Sequence, residues 1–236
     1  MSIRIQHLTK NYGSQKAVND ISFDVNPGEI MGFLGPNGAG KSTTMKITTG
    51  YLSATSGRVE VCGFEVAQQS MEVRRNIGYL PEHNPLYTEM YIKEFLRFVG
   101  SLYGLKGEKL TLRVSEMIEI CGLGVEQGKK IGQLSKGYRQ RVGLAQALIH
   151  NPPVLILDEA TTGLDPNQIV EIRNLIKTVG KEKTVLFSSH IMQEVEAICD
   201  RAVIINRGQI VANRTLAELQ SEGKSLEEVF HQLTMQ

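Results

Sequence analysis

The 236-residue sequence carries no excess of charge of either sign: 26 Lys and Arg stand against 25 Asp and Glu, a formal net charge of +1. That balance argues against a dedicated nucleic-acid binder, which carries a basic excess, but leaves room for a local basic patch. No apolar run is long enough to cross a bilayer. The opening "MSIRIQHLTK" has no apolar stretch behind its charges, so it does not read as a secretory signal. The expectation is a cytoplasmic protein. Cysteine is scarce: Cys62, Cys121 and Cys199 are odd in number, far apart and without a CxxC pair. They read as reduced thiols packed like small hydrophobes, not as metal ligands or a redox pair. Neither an internal repeat nor a low-complexity tail is present. What remains, 41% hydrophobic and 22% charged, is ordinary globular composition with enough chain for a sizeable core.

The pattern begins with strands. "IRIQHL" and "ISFDV" alternate apolar with polar residues, and after the punctuation "NPGE" comes the short apolar run "IMGFLG", ending at Gly35. "GRVEVCGFEV" is a further strand candidate. The middle changes period. Ile92, Phe95, Leu96, Val99, Leu102 and Tyr103 fall at helical spacing, as do Val114, Met117, Ile118 and Cys121, and both stripes are expected in the core. The last third alternates again. "VLILD" and "TVLFSSH" read as strands buried on both faces. "DPNQIVEIRNLIKTVG" reads as a helix with Asp165 at its N-cap and Pro166 at its first position. "AVIINRGQIVA" reads as a hairpin turning at Arg207–Gly208. Strands alternating with helices imply a mostly parallel sheet covered on both faces.

Two stretches carry chemistry. "GPNGAGKS", residues 35–42, fits G-x-x-x-x-G-K-[ST] between a strand and a helix. Gly35, Gly38 and Gly40, with Pro36, Asn37 and Ala39 between them, let backbone N–H groups approach a phosphate chain. Lys41 reaches the outer phosphates as a point charge, the Ser42 hydroxyl binds Mg²⁺, and Thr43 follows in the same turn. The expected ligand is a nucleoside triphosphate. In "VLILDEATTGLD", Asp158 ends the strand where a carboxylate holds Mg²⁺ directly or through water, and Glu159 is placed to orient and polarise an attacking water.

Between these stretches lies "LSKGYRQR", and with it the whole chain resembles the ATP-binding-cassette ATPases. "LSKGYRQR" is similar to that family's signature segment, "NYG" to its adenine-stacking motif with Tyr12, "TTGLD" to the loop that includes Asp165, and "SSH" to the switch histidine, His190. "GYLPEHN" stands where the family has its glutamine loop. Glu82 takes the place of the usual glutamine there; it retains the capacity to ligate Mg²⁺ but cannot donate an amide hydrogen bond. Tyr138 replaces the usual signature glutamine. Lys136 replaces a glycine, and either adds positive charge near the phosphates or faces water.

The resemblance implies an α/β fold: a P-loop NTPase (RecA-like) core with an antiparallel β subdomain and a helical insert subdomain. One cassette would fill residues 1–236, with the N-terminal β and P-loop core at 1–83, the insert at about 84–153, the core resuming at 154–212 and a tail at 213–236. It implies ATP and Mg²⁺ as ligands, Glu159 and His190 in hydrolysis, and a head-to-tail homodimer. In that dimer Ser135 and Gly137 of one copy close on the nucleotide of the other. It further implies separate transmembrane permease subunits as partners, with the chain peripheral on the inner face of the cell membrane and no nucleic acid expected. "LPEHNPLY" and "LEEVF" resemble stand-alone ATP-binding subunits of exporter-type systems, the gliding-motility-associated branch being the most similar. The alternative is a cassette ATPase working on a ribosome or nucleic-acid complex. A GTPase is disfavoured by the lack of Asn-Lys-x-Asp, and a non-hydrolysing regulator by Glu159 and His190.

Overall fold

The computed structural model describes residues 1–220 and 225–235. Its strands are β1 (Ile3–Tyr12), β2 (Gln15–Val25), β3 (Ile30–Leu34), β4 (Ser56–Val61), β5 (Phe64–Glu65), β6 (Ile77–Leu80), β7 (Val154–Asp158), β8 (Thr184–Ser189), β9 (Arg201–Asn206) and β10 (Gln209–Thr215). Its helices are α1 (Lys41–Thr48), α2 (Ser70–Asn76), α3 (Ile92–Leu102), α4 (Gly107–Ile120), α5 (Lys136–Leu148), α6 (Pro166–Gly180), α7 (Met192–Ile198), α8 (Leu216–Gln220) and α9 (Leu226–Thr234).

Two sheets result. An antiparallel sheet has the order β2-β1-β4-β5, and a six-stranded sheet the order β10-β9-β3-β8-β7-β6. In the larger sheet β6, β7, β8, β3 and β9 run parallel, and β10 is antiparallel to β9. Its inner strands β3, β7 and β8 are buried without interruption because each face meets a different core. Met31, Phe33, Ile156, Leu186 and Val203 point toward α1 and the antiparallel sheet, where Phe33 stacks on Phe23 at 5.3 Å. Their neighbours Leu34, Leu155, Leu157, Phe187 and Ile204 point into the core shared with α3 to α7 and α9. Period-two alternation therefore survives inside a run that has no polar half. Gly32 of β3 lets α7 lie flush on the sheet: a Cβ there would stand 2.6 Å from Val195 Cγ1.

The hairpin at Arg207–Gly208 forms as expected, both residues at positive φ (47° and 78°). Its tip is tied to the chain around the Gly-rich loop, Gly208 N–H donating to Ala39 O at 3.0 Å. Three expectations need correction. "GRVEVCGFEV" is two strands, β4 and β5, because Cys62 and Gly63 turn the chain at positive φ. "IGYL" forms β6, a strand the sequence reading did not assign. Leu102 and Tyr103 are not core: Leu102 is 69% exposed and Tyr103 41%, although Val99 and Gly100 of the last turn of α3 are buried. Cys121 and Cys199 are buried, and burial pushes the Cys121 thiol up to about 12.

The helical insert is pinned to the core through the end of α5. Arg113 of α4 donates to Leu148 O (2.5 Å) and Ile149 O (2.9 Å), placing a cation on carbonyls at the end of the helix. His150 follows, stacked flat on Tyr103 with centroids 3.7 Å apart, its Nε2 3.1 Å from Ile77 O. Its Nδ1 is buried without a partner. Burial is the main cause that pushes its pKa down to about 4; Lys183 and Arg113 act in the same direction, against the Ile77 hydrogen bond. An unfolded histidine titrates near 6.5. The folded value lies below the unfolded one, so on acidification the unfolded chain takes the proton first. The contribution of neutral His150 to stability is complete above about pH 6.5 and is lost as pH falls from there toward 4. We expect the melting temperature to drop across that window, and His150→Gln to flatten the drop. Thermal melts at stepped pH check this; equal slopes in both proteins would remove His150 as the cause.

Candidate active site

The Gly-rich loop runs from the end of β3 into α1. Gly38 and Gly40 hold φ of 79° and 112°, and Gly40 is the residue before the helix. A Cβ on Gly40 would stand 2.5 Å from Ala17 O, so both dihedral and space demand glycine. The loop curls around the Lys41 side chain, which is only 6% exposed. Its ammonium donates to Gly35 O (2.7 Å) and Pro36 O (3.3 Å) and lies 3.7 Å from Glu159 Oε1. One residue on, Ser42 Oγ donates to Asp158 Oδ1 at 3.2 Å.

Asp158 closes β7 beside the end of β8, whose Ser188 does two jobs. Its hydroxyl donates to Asp158 Oδ1 (2.7 Å) and accepts from Glu159 N–H (3.0 Å). Glu159 itself has φ 53°, a left-handed conformation that costs a non-glycine residue roughly 1–3 kcal/mol and concentrates at functional positions. Its Oε2 accepts from Thr162 Oγ1 (2.9 Å) and lies 2.7 Å from His190 Nδ1. The carboxylate is thus held by two neighbours on one oxygen while the other oxygen faces Lys41. Lys41, Ser42, Glu159, Thr162 and His190 line a single cleft of about 550 Å³, with Asn37, Thr43, Ala17 and the half-exposed Glu82 along its walls and Asp158 buried behind Ser42.

Eight of the residues singled out in the sequence do not line that cleft themselves. Four are attached to its wall: Gly35 and Pro36 accept from Lys41, Asp158 accepts from Ser42, and Ala39 lies between Gly38 and Gly40. Tyr12, Ser135, Gly137 and Asp165 are not. Tyr12, at the end of β1, is 50% exposed with Lys10 Nζ 5.3 Å from its ring centroid. Ser135 is the N-cap of α5, its Oγ accepting from Tyr138 N–H at 3.4 Å. Gly137 is buried against the side chain of Gln168. Asp165 caps α6, as expected, by accepting from Gln168 N–H at 3.0 Å. Lys136 is exposed and hangs its ammonium over Gly163. Pattern reading missed Ser188, Thr162 and Ala17. A faint signal existed for Ser188, a polar residue at the carboxyl end of an otherwise apolar strand; Ala17 gave none.

The oxygens present fit a small hard cation beside a polyphosphate. Ser42 Oγ and Asp158 Oδ1 are 3.2 Å apart at the mouth of a cationic loop. Among the described residues no cluster of three His, Cys, Asp or Glu side chains forms a protein-only metal cage. Mg²⁺ is suited to such a place, because it takes one or two side-chain oxygens and completes its octahedron with phosphate and water.

A family profile described as ABC transporter matches residues 18–162, more than half of the chain. The chain is similar to the bacitracin transport ATP-binding protein BcrA of Bacillus licheniformis, 40% identical over 89% of this chain and 68% of that protein. Among solved structures it is similar to an ATP binding subunit of an ABC transporter, with 31% identity, TM-score 0.89 and 99% of both chains covered. It is also similar to dimeric MJ0796, a bacterial ABC transporter cassette, with 26% identity, TM-score 0.82, and 91% of this chain and 98% of that one covered. The fold, the phosphate loop and the carboxylate pair agree with these likenesses: the chain belongs to the ABC transporter family and is an ATP-binding-cassette ATPase, with a P-loop NTPase core, an antiparallel β sheet and a helical insert.

Proposed function

We propose that this ATPase powers a separate membrane permease of exporter type, working as a head-to-tail homodimer around two MgATP molecules. The observation that carries the reading is the convergence of Lys41, Ser42 and the Glu159–His190 pair on one cleft, with Asp158 bonded to Ser42 behind its wall. Lys41 meets the β- and γ-phosphates, with the loop N–H groups from Gly38 to Thr43 around it. Ser42 and Asp158 would hold Mg²⁺, with Glu82 at the edge of the cleft as a further oxygen. When bound, the ion would supply charge neutralisation of the phosphates.

Glu159 orients and polarises the attacking water. Its Oε2 is occupied by Thr162 and His190, so Oε1 is the oxygen left for that water. His190 fixes Glu159 through Nδ1–H and, when doubly protonated, offers Nε2–H to the γ-phosphate. Tyr12 takes the adenine, which extends beyond the phosphate cleft. Ser135 and Gly137 at the N-terminus of α5, and Asp165, complete the site of a second copy. The dimeric state of MJ0796 supports this arrangement.

Closure around ATP and opening after hydrolysis make a population shift driven by different contacts in the two states. No helix among the described residues is long and apolar enough to cross a membrane. In this reading the permease is a separate partner and holds the chain at the membrane's inner face. The transport role named for BcrA supports this reading over a ribosomal or nucleic-acid role, as does the net charge of +1. The gliding-associated branch rests on "LPEHNPLY" and "LEEVF" alone. Tagged chain purified from mild-detergent extracts should bring a polytopic membrane protein with it and hydrolyse ATP; recovery of ribosomes or nucleic acid in its place would overturn the reading.

A further inference from the structure

A second carboxylate lies under the active site, and hydrolysis as described makes no use of it. Glu194, in the first turn of α7, is only 2% exposed. Its Oε2 accepts from Thr161 Oγ1 at 2.6 Å and from Ser189 Oγ at 2.7 Å, and both hydroxyl residues are themselves buried. Its Oε1 is buried with no hydrogen-bond partner. A buried carboxylate held on one oxygen only is expensive, and an apolar side chain of similar size would pack there at lower cost. Such a group is explained when its two contacts hold something in place.

What they hold are the two segments that carry Glu159 and His190. Thr161 and Thr162 are consecutive and face opposite ways: Thr162 bonds the Glu159 carboxylate above, and Thr161 bonds Glu194 below. On the other side Ser189 immediately precedes His190. Its hydroxyl gives its proton to Glu194 and accepts from Ile191 N–H at 3.0 Å, so one oxygen sets the turn on which the imidazole rides. The loop after Glu159 is also gripped from α5, where Gln140 Nε2 donates to Ala160 O at 2.8 Å. That grip bears only on the Glu159 side. Glu194 joins it to the His190 turn from below, beside the Glu159–His190 and Glu159–Ser188 bonds above.

We propose that Glu194 is a positioning residue for ATP hydrolysis: a buried clamp that fixes the Glu159 loop and the His190 turn at one mutual distance. The proposal rests on the roles given above to Glu159 and His190. It predicts a loss in turnover without a matching loss in nucleotide affinity, because Lys41 and the phosphate loop lie on another part of the chain. A misplacement of about 1 Å between reacting groups costs up to roughly 10²-fold, so a partial slackening should cost about tenfold or more.

The test compares kcat and KM for ATP in Glu194→Ala, Glu194→Gln, Thr161→Val and Ser189→Ala. Glu194→Ala should lower kcat about tenfold or more with KM within about twofold. Glu194→Gln keeps a carbonyl oxygen for both hydroxyls and should stay within about threefold of wild-type kcat. Its amide N–H₂ lands where Oε1 has no partner, so it should melt lower all the same, which separates positioning from stability. Thr161→Val and Ser189→Ala should each lower kcat severalfold, and their combination should be less than multiplicative because they share one carboxylate. Should Glu194→Ala fail to fold, the two hydroxyl variants decide by themselves. Wild-type kcat in both of them, or in Glu194→Ala, would overturn the proposal, as would a Glu194→Gln loss equal to that of Glu194→Ala. Glu159→Gln run alongside separates the two levels: activity lost there but kept in Glu194→Ala sinks only the clamp, and activity kept in both sinks the assignment of Glu159 as well.

Discussion

Glu159→Gln should bind MgATP and hydrolyse it roughly 10²- to 10⁴-fold more slowly, the range that removal of a positioned general base costs. The geometry explains why binding survives. A glutamine is nearly isosteric, and its amide oxygen can take the place of Oε2, accepting from Thr162 Oγ1 and His190 Nδ1–H. The left-handed backbone of Glu159 and its N–H bond to Ser188 do not depend on the side-chain charge. What disappears is the oxygen that would polarise water. A negative charge also disappears from beside Lys41, 3.7 Å away, leaving that cation for the phosphates alone. Affinity for the triphosphate should therefore hold or tighten, and ATP should accumulate the variant as a dimer. Phosphate release gives the rate, and sedimentation with and without MgATP gives the assembly. Turnover near wild type would remove Glu159 from the chemistry. Slow turnover without a dimer would leave the chemistry and remove the sandwich.

The phosphate loop was legible because its residues are fixed by local constraints. Positive φ and close backbone approach at Gly40 leave glycine as the residue that fits, so the requirement is written in the sequence itself. Asp158 was legible for a related reason, a charge ending a run buried on both faces. Ser188 and Glu194 were not. Their meaning lies in contacts made 29 and 33 residues away along the chain, to Glu159 and Thr161, and periodicity carries no record of such pairs. The helical stripe of α3 shows the converse limit. Spacing correctly put Ile92, Phe95, Leu96 and Val99 on one buried face but could not say that Leu102, one turn on, is exposed while Gly100 is buried. Tyr12, Ser135, Gly137 and Asp165 are a third kind. Each was found by its motif, and none lines the cleft of a single chain; the roles proposed for them, at the adenine or in a neighbouring copy, do not require it.

Lys41→Ala should weaken triphosphate binding by about 2–3 kcal/mol, the worth of charge-assisted hydrogen bonds to phosphate, or roughly 30- to 150-fold in Kd. The side chain is short of alternatives. It is buried, it is encircled by its own loop, and its donors already meet Gly35 O, Pro36 O and the neighbourhood of Glu159 Oε1. An incoming triphosphate has to replace those carbonyl contacts, so the measured loss is a difference between two sets of bonds and stays below the full strength of an ion pair. Truncation also strands Glu159, whose carboxylate keeps Thr162 and His190 but loses its cation, and that negative charge then repels the γ-phosphate. Weakened binding should thus be greater for ATP than for ADP, whose terminal phosphate stops short of Glu159. Lys41→Arg should not restore it, because a planar fork cannot enter a cradle shaped around a single ammonium. Titration of a fluorescent ATP analogue and its ADP counterpart, in the Glu159→Gln background to stop turnover, separates charge removal from repulsion. In that background the extra penalty on ATP should shrink to the part due to the lost γ-phosphate contact, while the loss common to ATP and ADP remains. An ATP affinity unchanged by Lys41→Ala would mean that the phosphates lie outside this loop.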